Sequence, residues 1–369
     1  MSENNSLGRI VNAGAGTGKT TVLVNDALNM VDAGKYVLIT TYTTANTQAA
    51  IDKIVKIRGF VPSGLTVCPW YTFLLRDLIR PFHSDWLPQR IGTVNLVNRE
   101  PAGRRYVEKN SPRFYLDSNN SVYSDRAAQL AYDLNVATGF SAIDRLERLY
   151  DAVYIDEAQD LAGYDFDLIK LLCENHVQLT VVGDPRQKTF STTRQQKNKQ
   201  YKTVFEYIEK NRLRLDEESN SISYRCAMPI LELANRLYPE YPELVSSRQS
   251  VSDDLSCCIV PRQDIPHYCK CFHPVQLIWD NRTKALDDFP VMNMGNSKGL
   301  EFGNVLIYLT NDMASWLKDK NSTLAEEARA KLYVAITRAR NNLGFVLPKK
   351  TSEKGIALKR YDPCVNNID

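Results

Sequence analysis

The sequence contains no hydrophobic run long enough to cross a membrane. A membrane-spanning helix needs about 20 consecutive apolar residues, and no stretch of the 369 residues approaches that length. The first residues, MSENNS, are polar and lack the basic and then apolar pattern of a secretory signal. We therefore expect a cytoplasmic protein with no membrane partner.

The sequence also lacks an excess of charge of one sign. It has 46 basic and 43 acidic residues, which give a formal net charge of +3 and a pI near 8.3. This balance does not by itself indicate nucleic-acid binding. Eight cysteines in a chain of this length do not form the pattern of a disulfide framework. A reducing compartment is the expectation.

Histidine is scarce, with four residues in all, and two of them fall beside cysteines. On a strand, His267, Cys269, Cys271 and His273 would share a face and suggest zinc. However, Asp264-Ile265-Pro266 is typical of a helix start, and on a helix the two cysteines point apart. No C-x-x-C pair with zinc-finger spacing is present. The pattern favours packing cysteines, with zinc as the weaker alternative.

Strand-like and helix-like segments alternate along most of the chain. This alternation predicts the α/β class, with mostly parallel sheets covered by helices on both faces. The alternation of strand-like and helix-like segments is interrupted over about 82–125, which indicates a small insertion in the first lobe. A polar stretch, DEESNS at 216–221, is the best candidate for a hinge. We therefore predict a first lobe over 1–215 and a second over 216–369.

The segment AGAGTGKT at 13–20 satisfies the phosphate-loop pattern G-x-x-x-x-G-K-T. Its glycines let backbone N–H groups surround phosphates at the start of a helix, where the helix dipole favours anions. Lys19 is predicted to reach the terminal phosphates, and the Thr20 hydroxyl to bind Mg²⁺. The predicted cofactor-binding residues are Gly14, Ala15, Gly16, Thr17, Gly18, Lys19, Thr20 and the adjoining Thr21.

Two later segments complete the predicted nucleotide site. VYIDEAQD at 153–160 is an apolar strand that ends in two acids. Asp156 is predicted to hold Mg²⁺, and Glu157 to orient and deprotonate the attacking water. VVGDPRQ at 181–187 follows the next strand, and Gln187 is predicted to contact the γ-phosphate or the water.

Six motifs occur in a fixed order, and together they are more specific than any one of them: AGAGTGKT, DEAQD, GDPRQ, SYR, SKGLEF and YVAITRAR. This set resembles the UvrD/Rep-like DNA helicases of superfamily 1. The resemblance implies two RecA-like P-loop NTPase lobes, with ATP and Mg²⁺ in the cleft between them and single-stranded DNA across their tops. It also implies an ATP hydrolase and helicase of the EC 5.6.2 type, which moves 3′ to 5′.

Further roles come from the resemblance alone. It implies that Arg225 and Arg338 approach the γ-phosphate, where a guanidinium neutralises charge that develops in the transition state. It also implies that Tyr224 stacks on adenine and that Glu301 reaches the ribose. An arginine often follows the phosphate loop in the family, whereas this chain has Thr21.

The predicted DNA contacts depart from the family pattern. The resemblance places stacking aromatics at Trp70, in PWYTF, and at Phe190, but Thr192 stands where the family has a tryptophan. The following segment, RQQKNKQYK at 194–202, is rich in basic and amide groups. Its Lys197 and Lys199 are predicted to follow a phosphate backbone, with a solvated charged loop as the alternative.

The spacing of the motifs leaves a second function open. Only about seventy residues separate SYR from SKGLEF, so the large second-lobe insertion of longer relatives is expected to be absent or vestigial. The chain could therefore be a DNA-stimulated ATPase subunit that regulates a partner nuclease in phage defence or repair, without unwinding DNA itself. A non-hydrolysing nucleotide-binding module is a third reading, against which the intact Lys19, Glu157, Arg225 and Arg338 argue.

Overall fold

A computed structural model describes residues 8–84, 86–87, 89–96, 107–108, 111–189, 191–193, 196–248, 257–319, 321–349 and 351–364. These residues divide into two compact units. Unit 1 lies within Met1–Asn12, Lys19–Pro185 and Phe190–Ser219, and unit 2 within Ala13–Gly18, Arg186–Thr189 and Asn220–Asp369. The predicted boundary after residue 215 stays a prediction.

The described residues of the first 220 positions form eight strands and eight α-helices. The strands are β1 (Gly8–Ala13), β2 (Val37–Thr41), β3 (Leu65–Pro69), β4 (Val94–Asn95), β5 (Val122–Tyr123), β6 (Ala152–Asp156), β7 (Gln178–Gly183) and β8 (Asp216–Asn220). The helices are α1 (Lys19–Asp32), α2 (Thr44–Arg58), α3 (Trp70–Phe73), α4 (Pro112–Tyr115), α5 (Ser124–Ala137), α6 (Ser141–Leu149), α7 (Tyr164–Cys173) and α8 (Val204–Lys210). A π-helical turn over Leu74–Ile79 continues α3.

Unit 1 is built on a six-stranded sheet in the order β3-β2-β6-β7-β1-β8. Strands β3, β2, β6, β7 and β1 pair in parallel. All five residues of β2 and of β6 are buried, as expected for central strands of a sheet with both faces covered. Because the strands are parallel, their carboxyl ends meet at one edge. Asn12, Asp156 and Gly183 therefore lie at the same edge.

Unit 2 contains a second six-stranded sheet in the order β13-β12-β14-β15-β11-β16. Its pairings are also parallel. The remaining strands and helices are β9 (Ile222–Ser223), β10 (Val245–Ser246), β11 (Cys257–Ile259), β12 (Val275–Ile278), β13 (Val291–Asn293), β14 (Phe302–Tyr308), β15 (Ala339–Val346), β16 (Lys359–Arg360), α9 (Met228–Leu237), α10 (Ile265–Phe272), α11 (Asn311–Lys318) and α12 (Glu326–Ile336). The predicted α/β class with two parallel sheets is confirmed.

Several smaller expectations can be compared with the structure. The polar stretch at 216–221, the predicted hinge, contains β8 at the edge of the first sheet. The region 82–125 contains β4, α4 and β5, although part of it lies outside the described residues. The segment after Asp264 is helical, as predicted, and no metal-binding cluster of His, Cys, Asp or Glu occurs among the described residues. Within the same residues, no helix is long and apolar enough to cross a membrane.

Candidate active site

The phosphate-loop segment joins β1 to α1, as the sequence predicts. Gly16 and Gly18 have φ angles of 75° and 80°, in the left-handed region that glycine adopts without strain. The hydroxyl of Thr17 donates to the carbonyl oxygen of Gly14 at 2.9 Å and closes the turn. Helix α1 begins at Lys19 and has no acidic side chain in its first turn. The positive end of this helix is therefore not neutralised by its own first turn, which suits phosphate binding.

Thr20 and Asp156 meet at the carboxyl edge of the first sheet. The Thr20 hydroxyl donates to Oδ2 of Asp156 at 2.8 Å, and the backbone N–H of Glu157 donates to Oδ1 at 2.9 Å. A hydroxyl and a carboxylate are the hard oxygen ligands that Mg²⁺ prefers, completed by waters and substrate phosphates. These two residues therefore fit a magnesium site.

The electrostatics of Asp156 agree with this fit. Its side chain is 3% exposed. Burial, assisted by the charge of Glu157, raises the pKa of the Asp156 carboxyl to about 6, while the Thr20 hydroxyl bond and the charge of Lys19 lower it. An opposite charge close to a carboxylate favours its ionised form. A divalent cation at this position would offset the cost of burying the charge.

Glu157 is held by a residue that the sequence analysis did not assign. Its φ and ψ of 56° and 37° place it in the left-handed region, which is uncommon for residues other than glycine and is found at functional sites. The side-chain amide of Gln159 donates to Oε2 of Glu157. In turn, Oε1 of Gln159 accepts the backbone N–H of Asp184 at 3.0 Å. The carboxylate of Glu157 is thus fixed at the carboxyl ends of β6 and β7.

The approach of Gln159 requires a glycine in β7. A Cβ added to Gly183 would lie 2.4 Å from Oε1 of Gln159 and 3.2 Å from its backbone nitrogen. Any larger residue at this position would displace Gln159. The glycine of GDPRQ therefore makes room for the side chain that orients Glu157.

In unit 2, Arg338 and Gln187 meet in a buried network. Arg338 is 1% exposed, and its Nη2 donates to Oε1 of Gln187 at 3.3 Å. Its Nε and Nη1 donate to the carbonyl oxygens of Val334 at 3.0 Å and Leu300 at 2.8 Å. Nζ of Lys298 donates to the carbonyl oxygen of Gln187 at 3.0 Å. The structure thus brings together residues from GDPRQ, SKGLEF and YVAITRAR.

Arg225 and Glu301, which were assigned to different parts of the nucleotide, are paired in this structure. Nε of Arg225 donates to Oε2 of Glu301 at 3.0 Å, and Nη1 donates to the carbonyl oxygen of Thr337 at 3.4 Å. Tyr224 is 65% exposed, so its ring is accessible for stacking. The backbone N–H of Tyr224 donates to the carbonyl oxygen of Gly16 at 2.9 Å.

A lysine from α2 supplies positive charge next to the phosphate loop. Nζ of Lys53 donates to the hydroxyl of Thr21 at 2.6 Å. Thr21 occupies the position at which the family resemblance leads one to expect arginine. No sequence signal pointed to Lys53, because it lies 32 residues further along the chain. It reaches Thr21 only through the packing of α2 beside α1.

The prediction that Trp70 stacks on a base requires correction. Trp70 is 1% exposed, and its indole N–H donates to Oδ1 of Asp165 at 2.8 Å. Its ring packs against Phe73, with the centroids 5.4 Å apart. The side chain therefore belongs to the core of unit 1 and offers no face to a base in this arrangement.

The remaining predicted DNA contacts are Phe190, Lys197 and Lys199. Phe190 lies outside the described residues. Nζ of Lys197 lies 3.8 Å from a carboxylate oxygen of Asp167 and 5.3 Å from the centre of the Tyr164 ring. Lys199 is exposed. Of the two lysines, Lys197 is therefore already engaged with an acid.

A family model for the UvrD-like helicase C-terminal domain matches residues 29–350, most of the chain. The chain belongs to the UvrD-like helicase family. Comparison with curated proteins returned no match.

Three solved helicase structures are similar to this chain at low sequence identity. The arterivirus nonstructural protein 10 helicase has 14% identity and a TM-score of 0.48, with 97% of this chain and 63% of that one covered. The PRRSV helicase has 16% identity and a TM-score of 0.47, with 97% and 56% covered. A complex of the arterivirus protein with DNA has 15% identity and a TM-score of 0.47, with 95% and 63% covered. This UvrD-like chain spans less than two thirds of the length of these structures.

Proposed function

We propose that this UvrD-like chain hydrolyses ATP with Mg²⁺ and uses the reaction to move 3′ to 5′ along single-stranded DNA, as a helicase of the EC 5.6.2 type. Membership of the helicase family supports a nucleic-acid-dependent function. The observation that carries the ATPase part is the contact of Thr20 with Asp156, beside an oriented Glu157. A cytoplasmic location is part of the proposal, supported by eight free cysteines.

In this mechanism the chain itself holds the phosphates and the water. The N–H groups of residues 14–20 and the ammonium of Lys19 bind the triphosphate, and Tyr224 stacks on the adenine. Glu157, fixed by Gln159, orients the attacking water and accepts its proton. Arg338, with Arg225, stabilises negative charge that develops on the γ-phosphate, and Gln187 fixes the position of the Arg338 guanidinium. Thr20 and Asp156 would hold Mg²⁺, which would supply positive charge to the phosphate oxygens.

Arg225 would have to leave Glu301 to act on the phosphate. In this structure its guanidinium is paired with that carboxylate. Half of the Glu301 side chain is exposed, and exposed pairs contribute only about 0–1 kcal/mol. An anionic triphosphate can compete with such a pair. Glu301 would then keep only the longer contact with Nη1 of Arg340, at 3.6 Å, while it reaches the ribose.

A second candidate function is a DNA-stimulated ATPase subunit that regulates a partner nuclease without unwinding DNA. The observation that favours it is the burial of two of the three positions where the family has a stacking aromatic; the third, Phe190, lies outside the described residues. Trp70 is 1% exposed and Thr192 is 5% exposed. Each lost stack costs about 1–3 kcal/mol of binding to single strands. Weaker base contacts reduce the ability to displace a second strand.

ATP hydrolysis by the full chain tests the proposal. The rate is measured without nucleic acid and with single-stranded DNA, duplex DNA and RNA. We expect single-stranded DNA to stimulate hydrolysis most strongly. Equal rates under all four conditions would contradict a nucleic-acid-dependent function. A strand-displacement assay on a duplex with a 3′ overhang then separates the two candidates, since only the helicase releases the strand.

A further inference from the structure

A buried carboxylate accepts hydrogen bonds from three parts of unit 1. Asp165, in the first turn of α7, is 1% exposed. Its Oδ1 accepts the indole N–H of Trp70 at 2.8 Å. Its Oδ2 accepts the backbone N–H of Ala162 at 3.1 Å and the hydroxyl of Thr192. Three donors from three parts of the chain thus converge on one side chain.

Thr192 makes two further hydrogen bonds through its backbone. The backbone N–H of Thr192 donates to the carbonyl oxygen of Asp160 at 3.1 Å. Its own carbonyl oxygen accepts the hydroxyl of Tyr71 at 3.1 Å. The residue is therefore fixed at its amide, its carbonyl and its side chain. Tyr71 and the neighbouring Trp70 both belong to α3, so this helix and Thr192 are positioned together.

The chemistry of the donors explains why a carboxylate is needed here. An indole N–H and a backbone N–H can only donate, and each requires an acceptor. A carboxylate offers acceptor sites on both oxygens, whereas a carboxamide offers only one oxygen. Burying a carboxylate is costly unless it is well hydrogen-bonded. Asp165 meets this condition through Trp70, Ala162 and Thr192.

The fixed segment leads directly into basic residues. Lys197 and Lys199 follow Thr192 within seven positions. The side-chain amide of Asn198 donates to the carbonyl oxygen of Gly163 at 2.9 Å, in the turn that precedes α7. The same end of α7 therefore holds both Thr192 and Asn198, which lies between the two lysines. A shift of this attachment would move the lysines relative to a nucleic-acid backbone.

We propose that Asp165 is a positioning residue that sets the affinity for single-stranded nucleic acid, by holding α3 and Thr192 in one arrangement with residues 196–199. This inference rests on the proposed function. A positioning role and a purely structural role predict different effects of substitution. If Asp165 is a positioning residue, its substitution lowers the affinity for the strand but retains the rate of ATP hydrolysis at saturating strand.

The first test removes one hydroxyl. Thr192→Val deletes the hydrogen bond to Asp165 with little change of side-chain shape. Thr193→Val is the matched control, because the Thr193 hydroxyl donates to the carbonyl oxygen of Asp125 instead. Affinity is measured by fluorescence anisotropy with labelled oligo(dT), and half-saturation by stimulated ATP hydrolysis. For Thr192→Val we expect both to weaken about fivefold, as loss of a buried hydrogen bond predicts. Thr193→Val should change neither by more than about twofold.

The second test uses the carboxylate itself. In Asp165→Asn, one amide N–H must face another donor, so we expect binding of oligo(dT) to weaken about tenfold. Adding Trp70→Phe removes one of the competing donors and should restore about threefold of that loss. A structural role alone would lower the melting temperature of these variants and their saturated rate, without a selective loss of affinity.

The outcomes separate the inference from the proposed function. Unchanged affinity in folded Thr192→Val and Asp165→Asn overturns the inference, even if ATP hydrolysis by the natural chain is stimulated by DNA. If the natural chain binds oligo(dT) without stimulated hydrolysis, the proposed function fails and anisotropy still tests the inference. If the natural chain does not bind oligo(dT), both are overturned.

Discussion

The nucleotide-side motifs and the nucleic-acid-side motifs of this chain differ in how closely their structure follows the sequence pattern. At the nucleotide side, the phosphate loop, Asp156 and Glu157 lie at the ends of parallel strands and present polar groups. At the nucleic-acid side, Trp70 and Thr192 are buried and bonded to Asp165. The polar groups predicted to bind the nucleotide thus lie at strand ends, whereas Trp70 and Thr192 make core contacts.

This difference has a physical origin. Phosphates are held by backbone N–H groups, a helix dipole and one lysine, which the local sequence determines. Base stacking depends on which way an aromatic side chain points, and tertiary packing decides that. Motif spacing therefore predicts phosphate-binding residues more reliably than base-stacking residues.

Replacement of Lys19 should give the largest effect. Lys19→Ala removes the cation predicted to contact the terminal phosphates, and we expect ATP turnover to fall by at least about 10³-fold. Lys35→Ala is the control, because Nζ of Lys35 lies 3.0 Å from Asp151, in an exposed pair. Turnover is measured by phosphate release. Retention of DNA-stimulated hydrolysis in Lys19→Ala would show that the motif is not the catalytic site.

Substitution of the glycine in β7 tests the orientation of Glu157. In Gly183→Ala the new methyl group displaces Gln159, so we expect turnover to fall about 10–100-fold while nucleotide binding is retained. Gly92→Ala is the control, because a Cβ there meets no atom within 4 Å. Turnover and binding of a fluorescent ATP analogue are compared. Normal turnover in Gly183→Ala would refute the role given to Gln159.

The charge state of Asp165 should change stability with pH. Burial raises its pKa to about 6, so the folded chain keeps the proton over a range where the unfolded chain loses it. The resulting stabilisation is present below about pH 4 and is lost as the pH rises through about 6. The natural chain should therefore lose stability relative to the Asp165→Asn variant as the pH rises. The difference between their unfolding free energies should fall by about 2–3 kcal/mol from about pH 4 to pH 7. Urea unfolding measures it, and a constant difference would contradict the assignment.

The two lysines should give the smallest effects. Lys199→Ala should weaken oligo(dT) binding about two- to threefold and reduce the slope of its salt dependence by about 1. Lys197→Ala should have less effect, because Nζ of Lys197 already lies 3.8 Å from Asp167. Anisotropy titrations at several salt concentrations make the comparison. A larger effect at Lys197 would reverse the ranking.

The sequence predicted the features that local chemistry controls. The α/β class, the two parallel sheets and the helix after Asp264 followed from hydrophobic rhythm and helix-start residues. Gln159 and Lys53 were missed because their contacts depend on how β6, β7, α1 and α2 pack. Trp70 was assigned to the wrong environment, since an aromatic residue in a motif can face either solvent or core. The π-helical turn over Leu74–Ile79 has no signal in the composition of the segment.

The central claim is that Arg338 stabilises charge on the γ-phosphate during hydrolysis. Paired substitutions at the two arginines of TRAR test this claim most directly. Arg338 is buried and donates to Gln187, whereas half of the Arg340 side chain is exposed. Lysine keeps the charge but loses the fixed fork of donors. DNA-stimulated ATP turnover is measured for Arg338→Lys and Arg340→Lys, with nucleotide binding as the check on folding. We expect at least about a 100-fold loss for Arg338→Lys and less than about fivefold for Arg340→Lys. Equal losses, or none, would contradict a catalytic role for Arg338.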